Sequence, residues 1–398
     1  MRVFEINSVC GVRSTGRIAT DIYAALKSAG HECKIAYGRF SAARVDDGDA
    51  IRVGGRFTPY VDALKSRLFG NAGFYSRAAT KKLIKKIDAF SPDIVHLHNL
   101  HGYYLDVKTL FQYLKRKKIK TVWTLHDCWA FTGHCAYFDR ADCNKWERGC
   151  EKCPMKREYP ESLFFDRSKK QYAQKKQLFT GLDSMTIVTP SHWLKGLTER
   201  SFLGEYPVEV IHNGIDLSGF KRVEKEEYTL SLPDKKLVLG VALPFSERKG
   251  YTDFLKLSEA LGDEYCVVMV GLSDAQLKEL PKKIIGIKRT DSVHELAELY
   301  SRAECFVNLT YEDNFPTTNI ESLACGTPII TYDTGGSVEA VTPENGLIVG
   351  KGDIEGVKSA VLRISESDYD RQAISASARE QYDSKVMAEK YLDVYQNL

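Results

Sequence analysis

Tyr311-Glu312-Asp313-Asn314-Phe315-Pro316-Thr317-Thr318-Asn319-Ile320-Glu321 sets two acids eight residues apart around an aromatic turn, and its flanks decide the fold. Upstream, Glu304 to Leu309 is an apolar run of the kind a buried parallel strand needs. Downstream, Thr317 to Ala324 reads as a helix, with Pro316 suited to its first position by its fixed φ. A helix start therefore faces the intervening loop. Its unpaired N–H groups and positive dipole end attract phosphate, while nearby carboxylates accept hydrogen bonds from sugar hydroxyls. Asp313 and Glu321 thus suit a polyol joined to a diphosphate. Acids at this spacing also arise by chance in α/β proteins. Gly326-Thr327-Pro328 sets this pair apart, because it ends the helix and leads into a further strand, Ile329 to Tyr332, completing a β-loop-α-β unit.

The same alternation extends in both directions. In the first half the strand-like runs are Arg2 to Ile6, Cys33 to Tyr37, Ile94 to Leu97, Thr121 to Leu125, Met185 to Val188 and Val208 to Ile211. Helical segments fall at Gly16 to Ser28, near Leu105 to Leu114, at Ser168 to Phe179 and at Ser191 to Arg200. The second half has runs at Leu237 to Leu243, Tyr265 to Val270, Ile284 to Ile287 and Leu347 to Val349 besides those already named. Fully apolar strands separated by helices predict α/β domains with parallel sheets covered on both faces. A break is expected at His212-Asn213-Gly214-Ile215-Asp216 and the charged stretch to Glu227. This divides the chain into 1–215, with a cysteine-rich insert at 128–154, then 216–383, and a terminal helix, 384–398, that crosses back to the first domain. Two doubly wound, Rossmann-like domains facing an interdomain cleft follow, with ligands beyond the carboxyl ends of the strands.

A chain of 398 residues with 43% hydrophobic content exceeds what one core usually sustains. Its net charge of +3 conceals an asymmetry: residues 1–220 hold 35 Lys+Arg against 23 Asp+Glu, and the remainder 21 against 30. Cations cluster at Lys81-Lys82 with Lys85-Lys86, at Lys115 to Lys118, and at Lys169-Lys170 with Lys175-Lys176, near apolar Leu64, Leu68, Phe69, Phe74 and Leu83. Peripheral contact with an anionic membrane is one reading, and solvated helix faces are the plainer one. Nucleic acid is excluded as a partner because no aromatic stacking platform interleaves the cations. Met1 to Val9 lacks a secretory signal and no run approaches the roughly 20 apolar residues of a membrane span, so a cytoplasmic location is expected, at most peripheral at the inner face of the membrane.

Three further loops carry chemistry. Pro244-Phe245-Ser246-Glu247-Arg248-Lys249-Gly250 follows a strand, and its adjacent cations can neutralise a diphosphate and the charge that grows as it departs, without a metal. Gly11-Val12-Arg13-Ser14-Thr15-Gly16 joins the first strand to the first helix, with Gly16 permitting close approach of backbone to a phosphate. It lacks the full GxGxxG pattern, which argues against a dehydrogenase. His126-Asp127 closes a strand, where the imidazole can meet a sugar hydroxyl or handle a proton, or be merely structural. Asp47 and Asp49 form an Asp-x-Asp pair in a polar turn and need no ligand.

Together these stretches resemble the retaining GT-B glycosyltransferases of family four over nearly the whole chain, of the kind that build bacterial capsule, exopolysaccharide, colanic acid or O-antigen. Asp313 to Glu321 is similar to the family's acid, seven residues, acid motif, and Phe245 to Gly250 to its lysine-glycine phosphate loop. Thr189 to Leu194 with Val210 to Asp216 is similar to its interdomain segment, and Thr334 to Glu339 to a typical turn. The resemblance implies a hexosyltransferase whose first domain binds the acceptor and whose second binds a nucleoside diphosphate sugar. It implies His126, Lys249 and Asp313 as catalytic, with Gly16, Arg248, Asn314, Phe315, Thr317, Thr318 and Glu321 holding the donor. No cofactor is implied for catalysis, and the implied acceptor is a glycan or lipid-linked oligosaccharide. Three positions depart from the pattern: Asp313 stands where glutamate is usual, beside Glu312; Pro316 stands where glycine is common; and Leu243 replaces a second cation, leaving that charge to Arg248. The alternatives are a nucleotide-sugar epimerase of the same architecture and a non-catalytic, metal-dependent docking protein.

Cys135, Cys143, Cys150 and Cys153 form a separate constellation ending in a CxxC. Four thiolates can close a tetrahedral structural zinc site, with His134 and Cys128 as substitutes; disulfides and free thiols are the other readings.

Overall fold

The computed structural model describes residues 1–398. The chain forms two compact units: Met1–His212 with Met387–Leu398, and Asn213–Val386.

In the first unit, β1 (Arg2–Asn7), β2 (Glu32–Tyr37), β3 (Ala50–Arg52), β4 (Ile94–Leu97), β5 (Lys120–Thr124), β6 (Met185–Thr189) and β7 (Val208–Val210) form one sheet. Every pairing is parallel and the order is β3-β2-β1-β4-β5-β6-β7, reversing direction between β1 and β4. Alternate side chains feed two layers. Phe4 and Ile6 join Leu97 and Trp123 on one face, while Val3 joins Ile18, Ile22 and Val122 on the other, as a sheet covered on both sides requires. The terminal helix, Ser384–Gln396, completes the second layer with Met387, Tyr391 and Tyr395.

The second unit repeats the design with β8 (Lys236–Val241), β9 (Tyr265–Val270), β10 (Ile284–Ile287), β11 (Ala303–Asn308), β12 (Ile329–Tyr332) and β13 (Gly346–Val349). Its order, β10-β9-β8-β11-β12-β13, is again all parallel and reverses between β8 and β11. In such sheets ligands bind beyond the carboxyl ends of the strands at the reversal.

Sequence periodicity gives no element between Tyr37 and Ile94, where the structure has a strand and two helices. β3 is a three-residue edge strand, half-buried throughout. The helix Thr58–Phe69 turns its polar residues Asp62 and Ser66 inward and exposes Tyr60, Val61, Leu64 and Phe69, the reverse of the usual amphipathic pattern. The helix Arg77–Phe90 buries Leu83, Ile87 and Phe90 and leaves Lys81, Lys82, Lys85 and Lys86 in solvent, so that lysine cluster is a solvated helix face. The first helix begins at Arg13, which places Gly16 inside it rather than at its start.

Candidate functional site

The loops leaving β8 and β11 meet at the reversal point of the second unit. Lys249 forms an ion pair with Asp313, Arg248 Nη1 donates to the Glu312 carbonyl at 2.7 Å, and the Tyr311 amide donates to the Arg248 carbonyl at 2.9 Å. Gly250 makes this approach possible. Its φ is +76°, and a Cβ there would lie 2.4 Å from the Leu309 carbonyl oxygen. The structure thus brings together the cation and the acid that the sequence places 64 residues apart. It also pairs them, so the charge offered to a diphosphate is shared with Asp313. Glu312 is buried, which leaves Asp313 as the acid at the loop surface. Leu243, which stands where the family pattern has a second cation, is 79% exposed.

Behind this pair, the helix Thr317–Ala324 starts without a side-chain cap, with Pro316 as its N-cap residue and not its first turn residue. Its first amides, from Thr317 and Thr318, face the loop 311–316. The Asn213 amide group donates to the Phe315 carbonyl at 2.9 Å, fixing the aromatic turn, and the Asn314 amide donates to Asp313 Oδ1 at 2.9 Å. Glu321, one helical turn on, is buried and accepts a 3.0 Å hydrogen bond from the Tyr300 hydroxyl. The Thr334-Gly335-Gly336 turn closes the far side. The Gly336 amide donates to the Asp313 carbonyl at 3.3 Å, and Gly335, at φ +52°, has no room for a side chain because a Cβ would sit 1.9 Å from that same oxygen. Tyr300 and Gly335 are supports that sequence reasoning missed; the Gly-Gly turn was visible, but not what it touches.

In the first unit, the strand ends near the β1–β4 reversal carry a pair of histidines, His98 buried and His126 half-buried. His98 Nδ1 lies 3.2 Å from His126 Nε2, and His98 Nε2 lies 3.3 Å from Glu5 Oε2. Burial holds His126 down at about 4 and pushes Glu5 up from its ordinary value, so the imidazole is neutral at pH 7. Asp127 is already committed, accepting from the Trp129 amide and pairing with His101 at 2.9 Å. Gly16 is buried, its carbonyl accepts the Gly11 amide at 3.0 Å, and a Cβ there would meet Val9 at 2.9 Å; its first duty is to close the β1 loop. Glu5, His96 and His98 bring ligand-type atoms within 4.8 Å of one another. Both ring nitrogens of His96 are taken, by Thr124 at 2.8 Å and Tyr395 at 2.6 Å, so His96 has no ring nitrogen left to ligate a metal. Asp49, of the Asp-x-Asp pair, accepts from Tyr23 at 2.9 Å and pairs with Lys27 at 3.1 Å.

Cys135, Cys143, Cys150 and Cys153 line one small cavity in the insert. No helix is long and apolar enough to cross a membrane.

Comparison with known proteins bears on these two units directly. The model of Glycosyltransferase Family 4 matches residues 15–218, about half of the chain, and that of Glycosyl transferases group 1 matches residues 223–381. A protein of Escherichia coli K12 assigned to colanic acid biosynthesis as a glycosyl transferase, WcaC, is 26% identical over 348 residues, covering 83% of this chain and 81% of its own length. Among solved structures, sucrose-phosphate synthase from Thermosynechococcus elongatus superposes with a TM-score of 0.76 at 16% identity, over 100% of this chain and 98% of its own. Anabaena HepE in complex with UDP-glucose superposes at 0.67 and 12% identity over the full length of both chains. At these identities the structures establish the GT-B fold alone. The family models, laid end to end over both sheets, establish more: the chain is a glycosyltransferase and belongs to glycosyltransferase family 4.

Proposed function

We propose that the enzyme transfers a hexose from a nucleoside diphosphate sugar, with retention of anomeric configuration, to a lipid-linked glycan in surface polysaccharide synthesis. The observation that carries this reading is the Lys249–Asp313 pair, which joins two phosphate- and sugar-suited loops at the reversal of the second sheet, beside an uncapped helix start. In this reading Lys249 and Arg248 hold the diphosphate with the Thr317 and Thr318 amides, and Glu321, oriented by Tyr300, accepts from the ribose hydroxyls. Asp313, Asn314 and Phe315 hold the transferred sugar. The first unit binds the acceptor, with His126 assigned to the transferred sugar and Gly16 to the diphosphate. Lys249 stabilises the charge on the departing diphosphate, which itself assists the incoming hydroxyl, so catalysis needs no metal or other cofactor. A cytoplasmic location follows from a nucleotide-sugar donor.

The inverted helix Thr58–Phe69 supports a lipid-linked acceptor and peripheral contact with an anionic membrane. Phe57 and Tyr60 are each 73% exposed. Leu163, Phe164 and Phe165 extend the patch, joined to it by the Leu163 amide on the Arg67 carbonyl at 2.8 Å and by stacking of Phe165 on Phe69 at 6.4 Å. Exposed Arg56, Lys65 and Arg67 border it. Apolar rings framed by cations suit the headgroup boundary.

Thermal shift with a panel of nucleotides and nucleotide sugars identifies the donor, and NMR of the product with a lipid-diphosphate acceptor reads the anomeric outcome. An epimer formed from donor alone would instead establish the epimerase reading. Full retention of the protein's role after Lys249→Ala and Asp313→Ala would establish a non-catalytic docking function.

A further inference from the structure

The insert that follows β5 has three short 3-10 turns, Cys128–Ala130, Asp139–Ala141 and Lys145–Glu147, and no strand. Trp129, Phe131, Phe138 and Trp146 are buried, and the rings of Phe131 and Phe138 pack on Trp146 at 5.3 and 5.2 Å, but regular backbone pairing is absent. A segment this long and irregular needs a further constraint to hold one conformation.

We propose that Cys135, Cys143, Cys150 and Cys153 bind a structural zinc ion that organises this insert. All four line a single cavity of about 10 Å³ with Phe138, Trp146 and Met155, room for one small ion. Ligation at a Zn–S distance of about 2.3 Å draws the sulfurs to about 3.8 Å apart in a tetrahedron.

A backbone amide points at sulfur, as a thiolate ligand requires. The Gly133 amide donates to Cys150 Sγ at 3.1 Å. The Cys150-Glu151-Lys152-Cys153 turn is locked from outside. Lys152 is left-handed at φ +47°, the Lys145 ammonium binds the Glu151 and Lys152 carbonyls at 3.1 and 3.2 Å, and the Cys153 amide donates to Asp166 at 2.7 Å. The turn that carries both thiols of the CxxC is therefore held in one conformation.

Lys175 is fully buried beneath the insert, and its Nζ donates to the Trp129 and Thr132 carbonyls at 2.6 and 3.0 Å, tying the start of the insert to the helix Ser168–Phe179. His134 engages the Lys156 carbonyl through Nε2 at 3.1 Å, so the four-sulfur set is favoured over one containing that imidazole.

The test measures metal in the purified full chain, independently of transfer activity. Elemental analysis is expected to find about one zinc per chain, and cobalt exchange to give a thiolate-to-metal charge-transfer band with tetrahedral ligand-field absorption. Cys153→Ser is expected to lower zinc content at least about tenfold, while Cys266→Ser, in β9, leaves it unchanged. Should Cys153→Ser fail to fold, the cobalt spectrum of the wild-type chain still decides. Zinc well below stoichiometry with all four thiols reactive in the native protein, or a Cys135–Cys153 disulfide in the mass spectrum, overturns the proposal.

Discussion

The imidazoles of His98 and His126 lie nearly parallel, 16° apart, with His98 Nδ1 3.2 Å from His126 Nε2. Burial keeps both rings neutral at pH 7, so a single proton lies between the two nitrogens, and its position fixes which nitrogen of His126 remains a donor. Substituting His98 with leucine is expected to lower kcat about tenfold or more with little change in donor KM, and glutamine, which keeps a hydrogen-bonding group, to restore most of it. A leucine variant with wild-type kcat and an unshifted melting temperature would show that the orientation of His126 does not matter to transfer.

Acid sensitivity should follow from the same network. Burial holds His96 at about 3 and His126 at about 4, and lowers His98 as well. Unfolded histidines bind protons below about pH 6.5, which the folded ones refuse, so stability is complete above that value and falls with pH by up to about 1.4 kcal/mol per unit per histidine. Glu5 acts in the opposite sense: its raised value means that its contribution is lost as pH rises above the ordinary 4.5. Three groups outweigh one. A melting temperature that falls steadily from pH 7 to 5 is expected, and a flat profile across that range would contradict neutral burial.

Lys249→Ala should lower kcat by about 100-fold or more, because the proposed mechanism assigns to it the charge that faces the departing diphosphate. Asp313→Asn acts differently. It frees Lys249 from its partner, so binding of the nucleoside diphosphate alone should be unchanged or tighter by calorimetry while transfer falls. Weaker diphosphate binding in that variant would mean that the pair must stay intact when the donor binds.

Gly335→Ala tests an uncharged residue packed against the backbone of Asp313. A methyl group would strike the Asp313 carbonyl oxygen and the backbone would be forced to keep φ near +52°, at a cost of about 1–3 kcal/mol in stability. Donor KM should rise about tenfold through displacement of Asp313. Thermal melts and donor titrations read the two effects separately, and unchanged values in both would remove the turn from the site.

Replacing Tyr60, Leu64 and Phe164 by serine should cut flotation with vesicles containing anionic lipid by about tenfold while leaving transfer to a short soluble acceptor intact. The triple variant also separates patch from charge: retained binding in it, lost at high salt, would assign membrane contact to the cations alone.

Much of this was legible in the sequence because it rests on periodicity and local chemistry. The helix Thr317–Ala324 and the strand Ile329–Tyr332 have the limits that their apolar runs and the Gly326 stop imply. The Lys249–Asp313 pairing was not legible, since it depends on which strands neighbour each other and on a glycine, Gly250, whose meaning appears only when Leu309 is seen against it. Nor was Thr58–Phe69, because a helix that buries Asp62, bonded to Ser76, and exposes its rings defeats the rule by which amphipathic helices are found. Glu5 reads as a strand polar residue until His98, 93 positions later, is brought to its side.

The placement of Met387, Tyr391 and Tyr395 has a consequence for biogenesis. These side chains leave the ribosome only after Asn213–Val386, yet they belong to the layer that holds Val3, Ile22 and Val122, and Tyr395 supplies the hydroxyl that His96 requires. The nascent amino-terminal half must therefore wait, incomplete, while the intervening 174 residues of Asn213–Val386 are synthesised and fold. Maturation runs opposite to translation: the unit begun first is completed only after the second has been made, and a chain cut before Met387 lacks the side chains that close that layer.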